Sequence, residues 1–324
     1  MPNLLKKTSV IILNWNDFPD TINCIESVLK SKTDNFNLDI MVIDNGSTDE
    51  SPKQLRLFIE NYQKQANHYS SRLEFIQNLK NLGYAGGNNV GILKALENNA
   101  DYIFVLNNDA AVEKNTIERL IHTIESNNVA IVGPIIEEYA QNNDRWIVEG
   151  GRIQWLKSEL KHGTWNMEHG EQNTNPESMI HDSRSKSQDL YIPGAAMLVK
   201  KEVFEKIVLP NEYFLYFEDA DFCLHAQKAG FKIKVAEDAK IKHKVSSSTS
   251  KLGSPLLLRY HFRNALYFNK KHGPILVKIL LWPWSLWVIF KQTLKILIGR
   301  NKKESLAILN GVIDFYKNRF GKIE

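Results

Sequence analysis

The residues best suited to chemistry fall in two acidic clusters far apart in the chain. Asn107-Asn108-Asp109 closes the apolar run Tyr102-Ile103-Phe104-Val105-Leu106, and Glu218-Asp219-Ala220-Asp221 follows Tyr213-Phe214-Leu215-Tyr216-Phe217. A carboxylate at the C-terminal end of a buried strand lies where open α/β sheets place their ligands. It can hold a hard divalent cation, and the cation can hold a diphosphate. A carboxylate against an aromatic wall can have its pKa raised, which suits a general base. Plainer uses exist for both clusters: Asn-Asn-Asp also makes a good turn, and acidic residues are favourable at any helix start. His243, between Lys242 and Lys244, is a further candidate. The lysines would lower its pKa and keep it neutral, as metal binding needs. A lone histidine is as readily an ordinary surface residue.

The elements that must position these groups alternate. Apolar runs at Thr8–Leu13, Leu38–Ile43, Leu73–Ile76 and Tyr102–Leu106 read as strands. Helical stripes lie between them, the first carrying Ile22, Ile25, Val28 and Leu29. Each run ends in turn-forming polar residues: Asn14-Trp15-Asn16-Asp17, then Asp44–Glu50, then Asn81–Asn89, then Asn107–Asp109. Ser47 and Glu50 have capping-box spacing for the helix that follows them. Four strand–helix repeats predict a parallel, doubly wound sheet with a ligand at one edge. The segment Gly83-x-x-Gly86-Gly87 is neither the dinucleotide fingerprint nor a P-loop. Its glycines allow close backbone approach at a helix N-terminus that favours an anion, or they serve tight packing alone. Beyond Asp109 the pattern loosens. Residues 137–189 read as loops and short strands with a mobile lid, including the polar run His181–Gln188. Small residues at Gly194-Ala195-Ala196 mark a close approach.

Composition narrows the classes. The 324 residues suffice for one large or two small domains. Cys24 and Cys223 make neither a disulfide framework nor a Cys-rich zinc site, and they fit a reducing compartment. The N-terminal segment turns polar too soon for a signal peptide. Eleven Lys/Arg against three acidic residues from Lys270 onward give that tail a charge of +8, so the first 269 residues carry −4. Within the tail, Ile279–Phe290 is free of charge and holds Trp282, Trp284 and Trp287 around Pro283. Twelve residues are short for a bilayer span of about 20. Tryptophans flanked by Lys278, Lys291 and Lys295 suit a membrane interface, with a plain core helix and a re-entrant or tilted span as the other readings, and no nucleic-acid module is recognisable.

Val10–Asn16, Asp44–Asp49, Asn81–Asn89, Leu106–Asp109, Gly194–Met197, Glu218–Asp221 and Arg259–Asn264 together resemble the family 2 glycosyltransferases of the GT-A fold, nearest to a rhamnosyltransferase-like branch. The resemblance covers roughly residues 8–270. It implies a GT-A type, Rossmann-like, mostly parallel α/β sheet flanked by helices. The catalytic domain would span 1–268, with a nucleotide half to about 133 and an acceptor half from 134. A helical, membrane-associating extension would cover 269–324.

The resemblance also implies roles. Asp44 would bind the nucleobase, and Asn14 and Asn16 would line the nucleotide cleft. Asn81 and the turn Gly83–Asn89, with Gly87 and Asn89, would approach the ribose and sugar diphosphate, with Asn108 beside them. Asp109 would end the metal-binding Asp-x-Asp, whose first position is here Asn107, and His243 would be a further metal contact. Asp219 would be the base, with Glu218 and Asp221 near the acceptor. The Gln-x-x-Arg-Trp signature of processive synthases is missing, so one or a few sugars would move per encounter. The expectation is inverting transfer from a nucleoside-diphosphate sugar to a glycan or lipid-linked acceptor. The divalent cation would be Mn²⁺ in preference to Mg²⁺, because a histidine ligand tilts the choice. The enzyme would be cytoplasmic, on the cytoplasmic face of the inner membrane; self-association is left open. Rival readings are another sugar-nucleotide or nucleotide-dependent enzyme on a similar sheet, or an inactive scaffold that kept the fold.

Overall fold

The structure is a computed structural model and describes residues 5–65, 72–139, 145–157, 159–166, 190–244 and 253–323. The expected lid run His181–Gln188 lies outside the described residues. The chain opens with β1 (Lys6–Asn14), α1 (Phe18–Leu29), β2 (Phe36–Asp44), α2 (Ser51–Gln65), β3 (Arg72–Gln77), α3 (Gly83–Glu97) and β4 (Tyr102–Asn107). The four strands pair in parallel in the order β3-β2-β1-β4. Their alternating side chains feed two cores. Val10, Ile12 and Phe104 pack toward Ile25, Val28 and Leu55 of α1 and α2, while Ile11, Met41 and Val105 pack toward Ile92 and Ala95 of α3. Strands buried on both faces are apolar over most of their length, as at Val10–Ile12, Ile40–Ile43 and Tyr102–Leu106, which is why these runs do not alternate in sequence.

The sheet then becomes mixed. It continues through β5 (Ala110–Val112), β6 (Ile131–Tyr139), β10 (Ala196–Lys200) and β11 (Ile233–Lys244), with β10 antiparallel between β4 and β6. A side arm of β7 (Arg145–Gln154), β8 (Glu159–Asn166) and β9 (Leu190–Tyr191) hangs from β6. Helices α4 (Thr116–Ser126), α5 (Lys201–Phe204) and α6 (Glu218–Lys228) cover this half. The expected halves meet at 133/134, which falls inside β6.

The C-terminal part is α7 (Ser254–His272), α8 (Ile275–Leu297) and α9 (Lys302–Tyr316). The boundary drawn at 268/269 falls inside α7. Leu266, Val288, Ile308, Val312 and Phe315 form its own small core. Gly311 lets α9 lie against α7: a Cβ there would stand 2.5 Å from the Arg259 carbonyl. α8 is longer than its uncharged stretch. At 23 residues it is long and apolar enough, by length and composition, to cross a membrane. Pro283 is accommodated inside it. One side packs on α7 and α9; Ile279, Leu286, Phe290, Leu294 and Leu297 are exposed along the other.

Candidate active site

Strand pairing assembles the first acidic group. Asp109 sits just before β5, which pairs with β11 so that Ala110 faces His243. β11 also pairs with β6, setting His243 beside Glu138. His243 Nε2 is therefore 3.1 Å from Asp109 Oδ1, and its Nδ1 is 3.4 Å from Glu138 Oε1. Burial works against a proton on this imidazole, but the bonds to Asp109 and Glu138 outweigh it and raise the pKa to about 9. The expectation of a neutral His243 is corrected here. Neighbours along a strand point to the opposite face, and Lys244 reaches away to Asp20 at 3.0 Å. The donor set fits a divalent cation: a carboxylate and an imidazole nitrogen face each other, and a second carboxylate orients the ring from behind, as metal-bound histidines require. A cation arriving between Asp109 and His243 would displace the proton. Sequence reading missed Glu138, which sits in a strand whose partner in register only the fold reveals.

The second acidic group is built on a strained turn. Phe214, Tyr216 and Phe217 all have positive φ, at 66°, 69° and 75°. Non-glycine residues held there cost on the order of 1–3 kcal/mol each and persist only where surroundings over-determine them. Buried Asn264 supplies that constraint, donating to the carbonyls of Tyr213 (3.0 Å), Leu215 (2.7 Å) and Tyr216 (3.3 Å). Arg263 adds a bond to Tyr213 O at 2.8 Å. Asn264→Ala leaves buried carbonyls unmade, so a loss of about 1–3 kcal/mol is expected in denaturant unfolding. An unchanged midpoint would remove this role.

The turn delivers α6 with Glu218 and Asp219 at its first two positions, and both line one cleft of about 440 Å³ with Asp109, Glu138 and His243. Asp219 Oδ2 accepts the Gly194 N–H at 2.9 Å and Oδ1 that of Ala220 at 2.7 Å. Burial, and then the charge of Asp219, raise the Glu218 pKa from 4.5 to about 8. A carboxyl raised on folding contributes stability that is complete below about pH 4.5 and is lost as pH rises through about 8. Glu218→Gln should flatten that decline, so thermal melts at pH 5 and pH 9 should differ less in the variant. Parallel curves would contradict the shift.

Tyr84 stands among these groups. Its hydroxyl donates to the Gly194 carbonyl, and its pKa is pushed up by burial and then by Glu218, Asp219 and Asp109. A Cβ at Gly194 would meet that hydroxyl at 2.8 Å, which explains the small residues of this segment.

The remaining expected residues divide. Asn81, Gly83 and Asn108 line the cleft, joined by Trp15, Asn45, Tyr191, Tyr216 and His261, none of which had been assigned a role. Asp44 and Asn14 are fully buried beneath it and do not line it. Asn14 donates to Asp44 Oδ1 at 2.8 Å, and Asp44 Oδ2 accepts from Ser47 N at 3.1 Å. Ser47 Oγ is occupied by Asn14 and Asn16 N, so no capping box forms with Glu50 and α2 begins later, at Ser51. Asn16 also lies off the cleft and accepts Thr48 N at 2.8 Å. Gly87 is a packing glycine: a Cβ would meet Leu13 at 2.5 Å and Asn45 at 2.9 Å. Asn89 ties α3 to the loop at Leu209 and Asn211.

Asp221, expected near the acceptor, points away from the cleft. Burial opposes its charge, but hydrogen bonds from His225 and His272 hold its carboxyl well below the usual range. Tyr213 donates to it at 2.6 Å and Lys271 Nζ lies at 2.9 Å. Asp221, His225 and His272 are close enough to hold a metal. Lys271 against Asp221, and Lys228 Nζ at 2.9 Å from His272 Nδ1, already place positive charge there. We read the cluster as a clasp between α6 and α7.

Comparison with known proteins defines the class. Residues 9–208 match the model of glycosyl transferase family 2. The chain belongs to that family and is a glycosyltransferase, with a fold of the GT-A type. Among characterised proteins it is 24% identical over 326 residues to the low-salt glycan biosynthesis hexosyltransferase Agl10 of Haloferax volcanii, covering 99% of this chain and 94% of that one. It is 25% identical over 244 residues to the dTDP-rhamnosyl transferase RfbF of Shigella flexneri, covering 72% and 76%. Two solved structures share the fold. GalNAc-T7 with UDP, GalNAc and Mn²⁺ superposes with a TM-score of 0.58 at 16% identity over 83% of this chain, which spans half of that longer chain. The mannosyltransferase PcManGT of Pyrobaculum calidifontis with GDP-Man and Mn²⁺ gives 0.55 at 12% identity, covering 98% and 89%.

Proposed function

We propose that the enzyme transfers one hexose or deoxyhexose per encounter, with inversion, from a nucleoside-diphosphate sugar to a hydroxyl of a glycan or lipid-linked acceptor in cell-surface polysaccharide synthesis. One observation carries this reading: Asp109 with His243, and Glu218 with Asp219, line the same 440 Å³ cleft. A bound divalent cation would neutralise the charge of the departing diphosphate. Asp109 and His243 would hold it, with Glu138 fixing the imidazole from behind. The mixed oxygen–nitrogen donor set favours Mn²⁺ over Mg²⁺.

The protein's own groups divide the work as follows. Asp219, fixed by two backbone N–H groups, accepts the proton of the acceptor hydroxyl. Glu218, whose pKa is raised by burial and by the charge of Asp219, lies beside it in the cleft. Trp15, Asn45, Asn81 and Gly83 flank the nucleotide, over the buried Asn14–Asp44 pair that keeps β1 and β2 in register. Phe214, Tyr216 and Phe217 wall the acceptor side and exclude water. A single displacement inverts the anomeric centre, since among the described cleft residues no second nucleophile is dedicated to a retaining path. The hexosyl- and rhamnosyltransferase relatives support a hexose-type donor. α8, with tryptophans and lysines along an apolar helix, would lie at the cytoplasmic surface of the membrane. The catalytic unit would then close at β11 and the membrane unit begin with α7.

Incubation with a panel of nucleotide sugars and Mn²⁺ should release nucleoside diphosphate with one or a few donors. Release should need the cation, and NMR of the product should show an inverted anomeric centre. No release with any donor, or a retained configuration, would overturn the reading.

A further inference from the structure

Beyond α9 the chain turns back on itself. Asn318 and Gly321 have positive φ, at 52° and 78°, and Arg319 N closes on the Asp314 carbonyl at 2.9 Å. The returning segment, residues 319–323, lies against α7 and the turn that delivers α6. Gly321 N donates to the Glu212 carbonyl and Ile323 N to the Tyr260 hydroxyl, both at 2.8 Å. The Phe320 ring packs on Tyr267 with centroids 4.4 Å apart. Arg263 joins this segment to the turn. It is 1% exposed, and its bonds go to uncharged oxygens. Nη1 donates to the carbonyls of Gly321 (2.8 Å) and Arg319 (3.3 Å), Nη2 to that of Tyr213 (2.8 Å), and Nε to Asn264 Oδ1 (2.9 Å). Burial lowers its pKa to about 10, which leaves it a cation at neutral pH. A buried cation is costly unless its donors are met. The returning segment supplies two of the four acceptors.

We propose that residues 319–323 are a strap that sets the position of Asp219 through Arg263, which is a positioning residue for the transfer step. This rests on the transferase reading above, which makes Asp219 the base. The path is short. Arg263 holds the Tyr213 carbonyl and orients Asn264. Asn264 holds the carbonyls of Leu215 and Tyr216, and Asp219 is the second residue of the helix that follows. With the strap lifted, Nη1 loses both its acceptors, and the guanidinium turns toward water and releases the turn. The positive-φ residues Phe214, Tyr216 and Phe217 then relax, because strained backbone persists only where its surroundings over-determine it. The start of α6 moves with them. A misplacement of about 1 Å at a reacting group can cost on the order of 10²-fold in rate. A brace that only fixed α9 to α7 would not need Arg263. Arg259 with Asp314 at 2.7 Å, and the close approach at Gly311, already join those helices. A lysine could not do the same work, since one ammonium lacks the planar fork that reaches the strap and the turn together.

The test is made on the full chain. Phe320→Ala combined with Gly321→Pro removes the ring contact and the N–H to Glu212, and proline cannot take a φ of 78°, so the strap lifts. Release of nucleoside diphosphate from dTDP-rhamnose, UDP-glucose and GDP-mannose with Mn²⁺ gives the kinetics. With the donor that turns over, kcat should fall about 10–100-fold while KM for the donor stays within about twofold. Amide hydrogen exchange reads the position of Asp219 without turnover. The N–H groups of Gly194 and Ala220, both held by Asp219, and those of residues 212–217 should exchange at least about tenfold faster, while β1, β2 and β4 keep wild-type protection. Phe320→Ala alone should show the same changes in smaller measure. Arg263→Lys should match the double change, and adding it to that change should cost little more, because both act through one link. Wild-type kcat, or wild-type exchange at Gly194, in the lifted-strap variant would overturn the proposal. So would faster exchange across the whole sheet, which would make the segment a structural brace alone, and so would fully additive effects of the strap and Arg263 changes. If wild type released nucleoside diphosphate from no donor, the transferase reading would fall, and exchange at Gly194 would still decide whether the strap holds Asp219.

Discussion

Asp219→Asn is expected to lower the transfer rate by about 10²–10⁴-fold, the usual contribution of a positioned general base. That is on the order of 3–5 kcal/mol of transition-state stabilisation. The variant keeps the shape of the side chain and one oxygen for the Gly194 N–H, giving up only the bond from Ala220 N–H inside the first turn of α6, so α6 and its turn should stay in place. Nucleoside diphosphate with Mn²⁺ should therefore bind with unchanged affinity while turnover collapses. The neighbouring carboxyl supplies the contrast. Glu218 lines the same cleft, with its pKa raised by burial and then by the charge of Asp219. Glu218→Gln preserves a hydrogen-bond donor and should cost far less than Asp219→Asn. If Glu218→Gln proved the more damaging change at pH 7, the assignment of the base would move to Glu218.

Asp109→Ala should have the next largest effect, on the donor side. It removes the carboxylate that faces His243 Nε2 at 3.1 Å. Mn²⁺-dependent binding of nucleoside diphosphate should then fall at least tenfold, with activity falling in parallel. Glu138→Gln tests the same centre from behind. It leaves the cleft uncharged at that point and loosens the imidazole. Loss of an orienting partner of this kind usually costs 10–100-fold in metal affinity. The readout is Mn²⁺ titrated by its paramagnetic signal, which does not depend on catalysis. Glu138→Gln with wild-type Mn²⁺ affinity would make Glu138 a spectator. Chelation should inactivate the wild type and re-addition of Mn²⁺ restore it.

The parts of this fold legible in the sequence are those whose cause is local. Four strands show as short, mainly apolar runs, and the Asn- and Asp-rich turns that follow mark one sheet edge. The acidic start of α6 shows because carboxylates are favoured at a helix N-terminus. Pairings between distant strands leave no local trace. Glu138 falls in the stretch read as loops and short strands, and only the register of β6 with β11 gives it His243 as a neighbour. The same pairing overturned the neutral histidine, because neighbours in space outweighed neighbours in sequence. Asp221 was misplaced by proximity to Asp219. Two positions along a helix turn a side chain by about 200°, which takes it from the cleft to α7. Asn14, Asp44 and Gly87 shape the cleft floor without facing it. Residue type alone does not separate a side chain that touches a ligand from one that holds the strand beneath.

The convergence of Asp109 and Asp219 on one cation-bridged diphosphate can be seen directly by crystallising the protein with Mn²⁺ and nucleoside diphosphate and locating the metal by anomalous scattering. One strong peak is expected between Asp109 and His243 Nε2, with the terminal phosphate lying in the cleft on the side of Asp219. A peak held instead by Asp221, His225 and His272, or a nucleotide bound outside the cleft, would contradict it.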